Sequence, residues 1–301
     1  MSYYLGIDIG GTAIKYAIGN PGEKPVDSGL LPTPKSSLPD FLAAMRVLIN
    51  SLIWDYPIMG IGIATPGTID RQSGKLRGVN PNLPWWTDVS PLMIVPDEYR
   101  HLAFCDNDAN LMTLAEAQGT SAFVLGVTIG TGIGSGFVAN NAVYHGSRGF
   151  ALELGHIAVA ADGIECNCGL KDCLEAYSSV TAVLKAAAQL NALYRDQSLS
   201  EIILAAKHDP DLAAIISRAK HYLCKGLATA CMLLDPDLII LGGGGMDAGL
   251  YDIAEISEGL RSATALVNHH TQIRKATLGN QAGVMGAIYL AAQNLHRDCG
   301  G

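Results

Sequence analysis

Three cysteines fall within eight residues, Cys166-Asn-Cys168-Gly-Leu-Lys-Asp-Cys173, and Glu175 stands two positions beyond the last. Thiols at that spacing can close a disulfide, exchange electrons as a redox pair or bind a metal ion. The chain has seven cysteines, an odd number, which strains a fully disulfide-bonded reading. Cys105, Cys224, Cys231 and Cys299 are scattered, and Cys224 and Cys231 read as small core side chains in an apolar helical stretch. The amino-terminal MSYYLGIDIGG has neither a basic segment nor a long apolar run, so no signal peptide is expected. The cytoplasm is then the expected compartment, and disulfides are rare there.

Other residues suggest proton transfer and anion binding. In Asp106-Asn107-Asp108 two aspartates flank an asparagine where a short strand runs into a helix expected to reach Gln118. A carboxylate at a helix N-terminus is favoured as the anion and can accept a proton; the plainer role for either aspartate is an N-cap. Asp8 ends a buried strand. It either caps its own turn or supports a Mg²⁺–phosphate water shell. Three glycine turns, Gly10-Gly11-Thr12, Gly130-Thr131-Gly132 and Gly242-Gly243-Gly244, each follow an apolar strand. A run of inward backbone N–H groups cradles an anion without any net charge. One such turn is weak evidence; three at strand ends point to phosphate. No G-x-x-x-x-G-K-[ST] is present, and the glycine spacing from Gly130 opens a hairpin rather than a helix, which argues against a dinucleotide-binding fold.

The elements that must position these groups are an alternation of buried strands and helices. Strands are expected at Tyr4–Asp8, Ala13–Ile18, Met59–Ala64, Leu102–Cys105, Val124–Ile129, Gly136–Ala139 and in the apolar run before Gly242. A helix is expected over Leu38–Leu52, mostly helical chain from Ala176 to Leu234 with a break at Asp209-Pro210, and a last helix near Gly283–Leu295. Strand, glycine turn and returning strand occur twice, and in an open α/β sheet ligands bind at the carboxyl ends of strands. The boundary is placed near residue 110, giving domains 1–110 and 111–286, with the helix over 287–301 packing back on the first. The 49% hydrophobic and 16% charged composition is that of a compact protein, and no apolar run is long enough for a membrane span. A net charge of −8 argues against nucleic acid, so an anionic ligand must be held locally.

In order along the chain stand DIGGT at 8–12, IATPG at 63–67, DNDAN at 106–110, TIGTGIGSGF continuing to a G-x-x-G-F-A-x-E-L-G-H run that ends at His156, C-x-C-G-x-x-x-C-x-E at 166–175 and LDPDLIILGGG at 234–244. Over nearly the whole chain this resembles the ROK family of sugar kinases and repressors, within the actin/hexokinase-like ATPases. The resemblance implies an α/β fold of two actin-like (ribonuclease H-like) domains of duplicated ancestry with an interdomain cleft. It implies ATP, Mg²⁺ and a structural Zn²⁺ as cofactors, a small sugar as substrate and a homodimer. By the same resemblance Asp8, Gly10, Gly11, Thr12, Gly130, Thr131 and Gly132 serve the ATP phosphates and Mg²⁺, and Gly242, Gly243 and Gly244 lie against the adenosine. Asp108 matches the catalytic base. Gly67, Asn82, Asn107, Glu153, His156 and Glu175 match sugar-binding positions, and His156, Cys166, Cys168 and Cys173 match the zinc ligands.

Four residues depart from the family pattern. Ala13 replaces a lysine after DIGGT, which removes a direct lysine–phosphate contact. Leu152 replaces the glycine before Glu153 and is expected to narrow the sugar pocket. Ser135 replaces a glycine in the second hairpin, where no consequence is expected. Asp172 replaces the glycine before Cys173, so that turn must accept a side chain. The leading expectation is ATP-dependent phosphorylation of a hexose or N-acetylated hexose, at the 6-hydroxyl, by Asp108 acting as base. The alternative is a sugar-sensing regulator or non-catalytic binding protein; DIGGT at residue 8 leaves no room for the DNA-binding segment of the repressors. A bare zinc module does not explain three glycine-rich strand ends. Which hexose is used is not legible.

Overall fold

The structure, a computed structural model, describes residues 2–78, 82–120, 122–264 and 270–298; Cys299 lies outside them. The chain forms two compact units. Unit 1 holds the chain up to Gln118, Ala142–Ala151 and the stretch from Asn280 on; unit 2 holds Gly119–Asn141 and Leu152–Gly279.

Unit 1 is built on β1 (Tyr3–Ile9), β2 (Ala13–Gly19), β3 (Asp27–Pro32), β4 (Ile58–Thr65) and β7 (Ala103–Asn107), in the order β3-β2-β1-β4-β7. β1 and β2 pair antiparallel, and β4 and β7 run parallel to β1, so the ends of β1, β4 and β7 all face the same way. The small hairpin β5 (Thr68–Asp70) and β6 (Lys75–Arg77) follows β4. One face is covered by α1 (Leu38–Asp55), whose start is capped by the Ser37 hydroxyl accepting from Asp40 N. Its buried side, Phe41, Met45, Ile49 and Leu52, meets Leu5, Ile7, Ile61 and Ile63. The Trp86 ring packs 5.0 Å from that of Phe41, and its Nε1 donates to Thr65 Oγ1 at 2.8 Å, fixing the end of β4. The other face is covered by α2 (Asp108–Glu116) and α9 (Ala282–Asp298). A Cβ at Gly62 would lie 1.8 Å from the Ala287 carbonyl oxygen, so only glycine lets α9 sit this close to β4. The segment Ala142–Ala151, opening with the two-residue β10 (Ala142–Val143), also belongs to unit 1.

Unit 2 repeats the scheme. β8 (Phe123–Ile129) and β9 (Ile133–Ala139) form an antiparallel hairpin, and β11 (Leu238–Gly242) and β12 (Gln272–Lys275) add on in parallel beside β8. The turn residues Asn140 and Asn141 both take positive φ, 51° and 63°, which suits a tight hairpin turn. The helices are α3 (Glu175–Ser178), α4 (Val180–Leu190), α5 (Leu199–Ala205), α6 (Pro210–Leu234), α7 (Gly244–Asp247) and α8 (Ile253–Ala263). The expected helical break is real: Asp209 caps α6 through Asp211 N and Leu212 N, with Pro210 in its first turn. Leu223, Leu227 and Cys231 of α6 are buried in one core with Leu125, Val127, Ile239 and Leu241 of the sheet. No described helix is long and apolar enough to cross a membrane.

Candidate functional site

In unit 1 the candidate residues lie at the adjacent carboxyl ends of β1, β4 and β7, because those strands are parallel neighbours. The α2 cap is Asn107 rather than either aspartate: its side-chain oxygen accepts from Ala109 N at 2.9 Å and Asn110 N at 3.3 Å. Its Nδ2 donates to the Gly67 carbonyl at 3.1 Å, which joins two of the expected sugar-side residues. Asp106 points into the protein. Its carboxylate accepts from Asn107 N and Asn110 Nδ2, bonds to His145 Nε2 and lies 3.8 Å from Arg71. That leaves Asp108 as the aspartate open to chemistry, and its Oδ1 accepts from Ala109 N at 2.8 Å.

Asp108 is accessible to solvent yet ringed by protein. Its pKa is pushed up to about 6, first by desolvation and then by the negative charge of Asp8. Water at the residue screens part of this, but the two effects share one sign. Asp8 is likewise raised by burial, against the pull of Lys15, whose Nζ stands 3.4 Å from Asp8 Oδ2. Lys15 was not singled out from the sequence. It lies two residues past Ala13 on β2, hence on the same face, and pairs with Asp8 in register. Gly11 sits against Asn82, so the first glycine turn and a second expected sugar-side residue also meet.

In unit 2 the second glycine turn, Gly130–Gly132, joins β8 to β9. Val180 N at the start of α4 donates to the Gly130 carbonyl at 2.9 Å. Gly243, at φ 90°, lies against the Ile129 backbone, where a Cβ would fall 2.6 Å from its carbonyl oxygen. The third glycine run is therefore beside the second turn, as two parallel strands with their ends together require. Glu175 Oε2 accepts from Ile133 N at 2.8 Å and stands over Gly132. One carboxylate oxygen of Glu175 thus braces the hairpin, a contact the spacing of the motif does not reveal. Glu153 is exposed, at the entry to a short turn ending at His156.

The ligand atoms of His156, Cys166, Cys168 and Cys173 lie within 4.8 Å of one another. Cys168 Sγ is 3.7 Å from Cys173 Sγ, and Cys166 Sγ is 3.8 Å from His156 Nδ1. A tetrahedral zinc with bonds of about 2.3 Å separates its sulfur ligands by roughly 3.8 Å. The donor set and spacing therefore fit zinc, and all six described cysteines are free of disulfides. The loop is shaped by two short antiparallel bridges, Ala158 with Cys173 and Glu165 with Lys171. Asp172, at φ 62°, accepts from Gly163 N at 2.9 Å, Ile164 N at 3.1 Å and Tyr177 Oη at 2.5 Å. Its side chain ties both ends of the loop together. Leu152 also takes a left-handed φ, 66°, and packs on the core of unit 2.

The model of the ROK family matches residues 4–294. A glucokinase of Halalkalibacterium halodurans is 31% identical, the match covering 97% of this chain and 95% of that protein. An N-acetyl-D-glucosamine kinase of Haemophilus influenzae is also 31% identical, over 95% of this chain and 98% of its own. Among solved structures, a ROK family glucokinase of Streptomyces griseus in complex with glucose and AMPPNP superposes with a TM-score of 0.78 at 26% identity, covering 97% of this chain and 99% of that one.

Proposed function

The chain belongs to the ROK family, is an ATP-dependent sugar kinase with the actin-like α/β fold, and we propose that it phosphorylates the 6-hydroxyl of a hexose or N-acetylated hexose with Asp108 as general base. The observation that carries this reading is the Asp108 carboxylate: solvent-accessible, directly after the end of β7 and beside Asn107, which Gly67 holds, with its proton affinity raised by desolvation among surrounding protein and by Asp8. A base of that strength accepts a hydroxyl proton near neutral pH and remains ionised enough to do so.

Phosphoryl transfer asks the protein mostly for positioning and charge. Gly10, Gly11 and Thr12, with Gly130, Thr131 and Gly132, offer backbone N–H groups to the phosphates, and Gly242–Gly244 offer a surface for the adenosine. Mg²⁺ bound with ATP would neutralise the phosphate oxygens, and Asp8 is the residue that would support its water shell. Lys15 offsets part of the upward push that burial gives Asp8, and supplies near the phosphates the positive charge that Ala13 does not. On the sugar side Gly67, Asn82, Asn107, Glu153, His156 and Glu175 are the proposed contacts. Asn107 spends one amide hydrogen on Gly67 and retains the other for a hydroxyl. Glu175 spends Oε2 on Ile133 N, and its Oε1, which lies 3.8 Å from Cys166 Sγ, is the oxygen proposed for a hydroxyl.

Zn²⁺ at His156, Cys166, Cys168 and Cys173 is structural on this reading. His156 turns Nδ1 toward the cysteines, so its Nε2 remains for the substrate. A cytoplasmic homodimer is proposed from the family alone. The test is ADP release across glucose, fructose, N-acetylmannosamine, N-acetylglucosamine and allose. At least one sugar should drive it in the wild type, and Asp108→Asn should abolish it with the circular dichroism spectrum unchanged. If no sugar in the panel drives ADP release, the reading fails.

A further inference from the structure

Two of the four departures from the family pattern touch each other. Ser135, on β9, is buried, and its hydroxyl donates to the Leu152 carbonyl while accepting from Leu154 N at 3.3 Å. The two partners are the peptide groups on either side of Glu153. A single oxygen therefore spans the one residue between them, like a staple closed over its backbone. The span lies where the backbone is least free to relax by itself: Leu152 holds a φ of 66°, a region that a residue with a Cβ occupies only under outside constraint. The Leu152 side chain packs on the core of unit 2, and Gly155 lies against the Ile133 carbonyl, so both ends of the segment are seated against packed structure. Glu153 itself is the exposed residue of the stretch.

We propose that Ser135 is a positioning residue for sugar recognition: its hydroxyl, acting with the left-handed Leu152, fixes the direction in which Glu153 presents its carboxylate. The inference rests on the reading above, in which Glu153 takes a sugar hydroxyl. A carboxylate discriminates between epimers only if its direction is fixed, because a mobile one follows the hydroxyl to either position. Ser135 lies two residues beyond Ile133, whose N–H is held by Glu175, so the same strand braces both proposed sugar carboxylates. Leu152, partly buried, packs its side chain on the core of unit 2.

The experiment compares wild type, Ser135→Ala, Leu152→Gly and the double variant, with KM measured separately for the sugar and for ATP. Ser135→Ala is expected to raise the sugar KM roughly fivefold, the loss of about one hydrogen bond, and to leave the ATP KM within about twofold. The preference for the best sugar over its epimer should fall by a similar factor. In the Leu152→Gly background, where the left-handed turn carries no strain, the same Ser135→Ala step should cost less than about twofold. If Ser135→Ala does not accumulate folded, Leu152→Gly alone should show the same split, with raised sugar KM and unchanged ATP KM. An unchanged sugar KM, equal loss on both substrates, or additive effects in the double variant overturns the proposal while leaving the kinase reading intact. A wild type that turns over no hexose overturns both.

Discussion

At the residue scale the proposed chemistry turns on Asp108. Removing its carboxylate should cost about 10²–10⁴-fold in kcat, measured by ADP release with the Asp108→Asn protein. Its pH profile follows from sign. The base works only when deprotonated and its pKa is raised toward about 6, so kcat/KM should fall on the acid side at a pH above the ordinary carboxylate range. A carboxylate whose folded pKa is raised favours the fold while protonated, and that contribution is lost as pH rises through the folded value. Asp108→Asn should therefore not lower the melting temperature at pH 7, and should raise it. Lys15→Met removes the cation that offsets the burial of Asp8, which should raise the KM for ATP with magnesium several-fold and leave the sugar KM alone. Asp108 stands out as a candidate in the sequence because its motif is contiguous. Lys15 does not, because its partner is fixed only by antiparallel pairing across a hairpin.

At the element scale the candidate metal loop is the sharpest case. The cysteine spacing and the histidine ten residues upstream mark it in the sequence, and the four donors do converge. The role of Asp172 was not legible, since its partners Gly163, Ile164 and Tyr177 come from both sides of the loop and meet only after it folds. Cys168→Ser should lower the zinc content of purified protein from one per chain, measured by elemental analysis, and raise the sugar KM. Asp172→Gly relaxes a left-handed φ but gives up three hydrogen bonds. Zinc should then be transferred to a chromophoric chelator several-fold faster, with the zinc content at the start unchanged. The strand ends fared better. Parallel β1, β4 and β7 place DIGGT, IATPG and DNDAN side by side, as apolar strands followed by glycine or polar turns promise.

At the scale of the whole molecule the repeated sheet was legible as a repeated motif, but the path of the chain was not. The sequence suggests a boundary near residue 110 with the last helix returning to the first domain, whereas the structure groups α2, Ala142–Ala151 and the stretch from Asn280 on into unit 1. Such grouping depends on contacts between residues far apart in sequence, which no local pattern encodes. The net charge of −8 bears on the nucleotide. With no basic field drawing ATP in, added salt screens repulsion rather than attraction, so raising ionic strength from about 0.05 to 0.2 M should not weaken ATP binding. A several-fold rise in the ATP KM would show that long-range attraction is at work.

The close seat of α9 against Gly62 has a consequence for biosynthesis. A ribosome delivers β1, β4 and α2 long before it delivers the helix that packs on them, so the first sheet emerges with β1 and β4 largely bare on that face. Unit 2, whose segments lie between, can complete its own core while unit 1 waits. Translation that stops short of α9 leaves β1, which bears Asp8, and its neighbour β4 without their cover, and such a product should be degraded rather than act as a weak enzyme. Competence is thereby conferred late, on chains that have been read through to that helix.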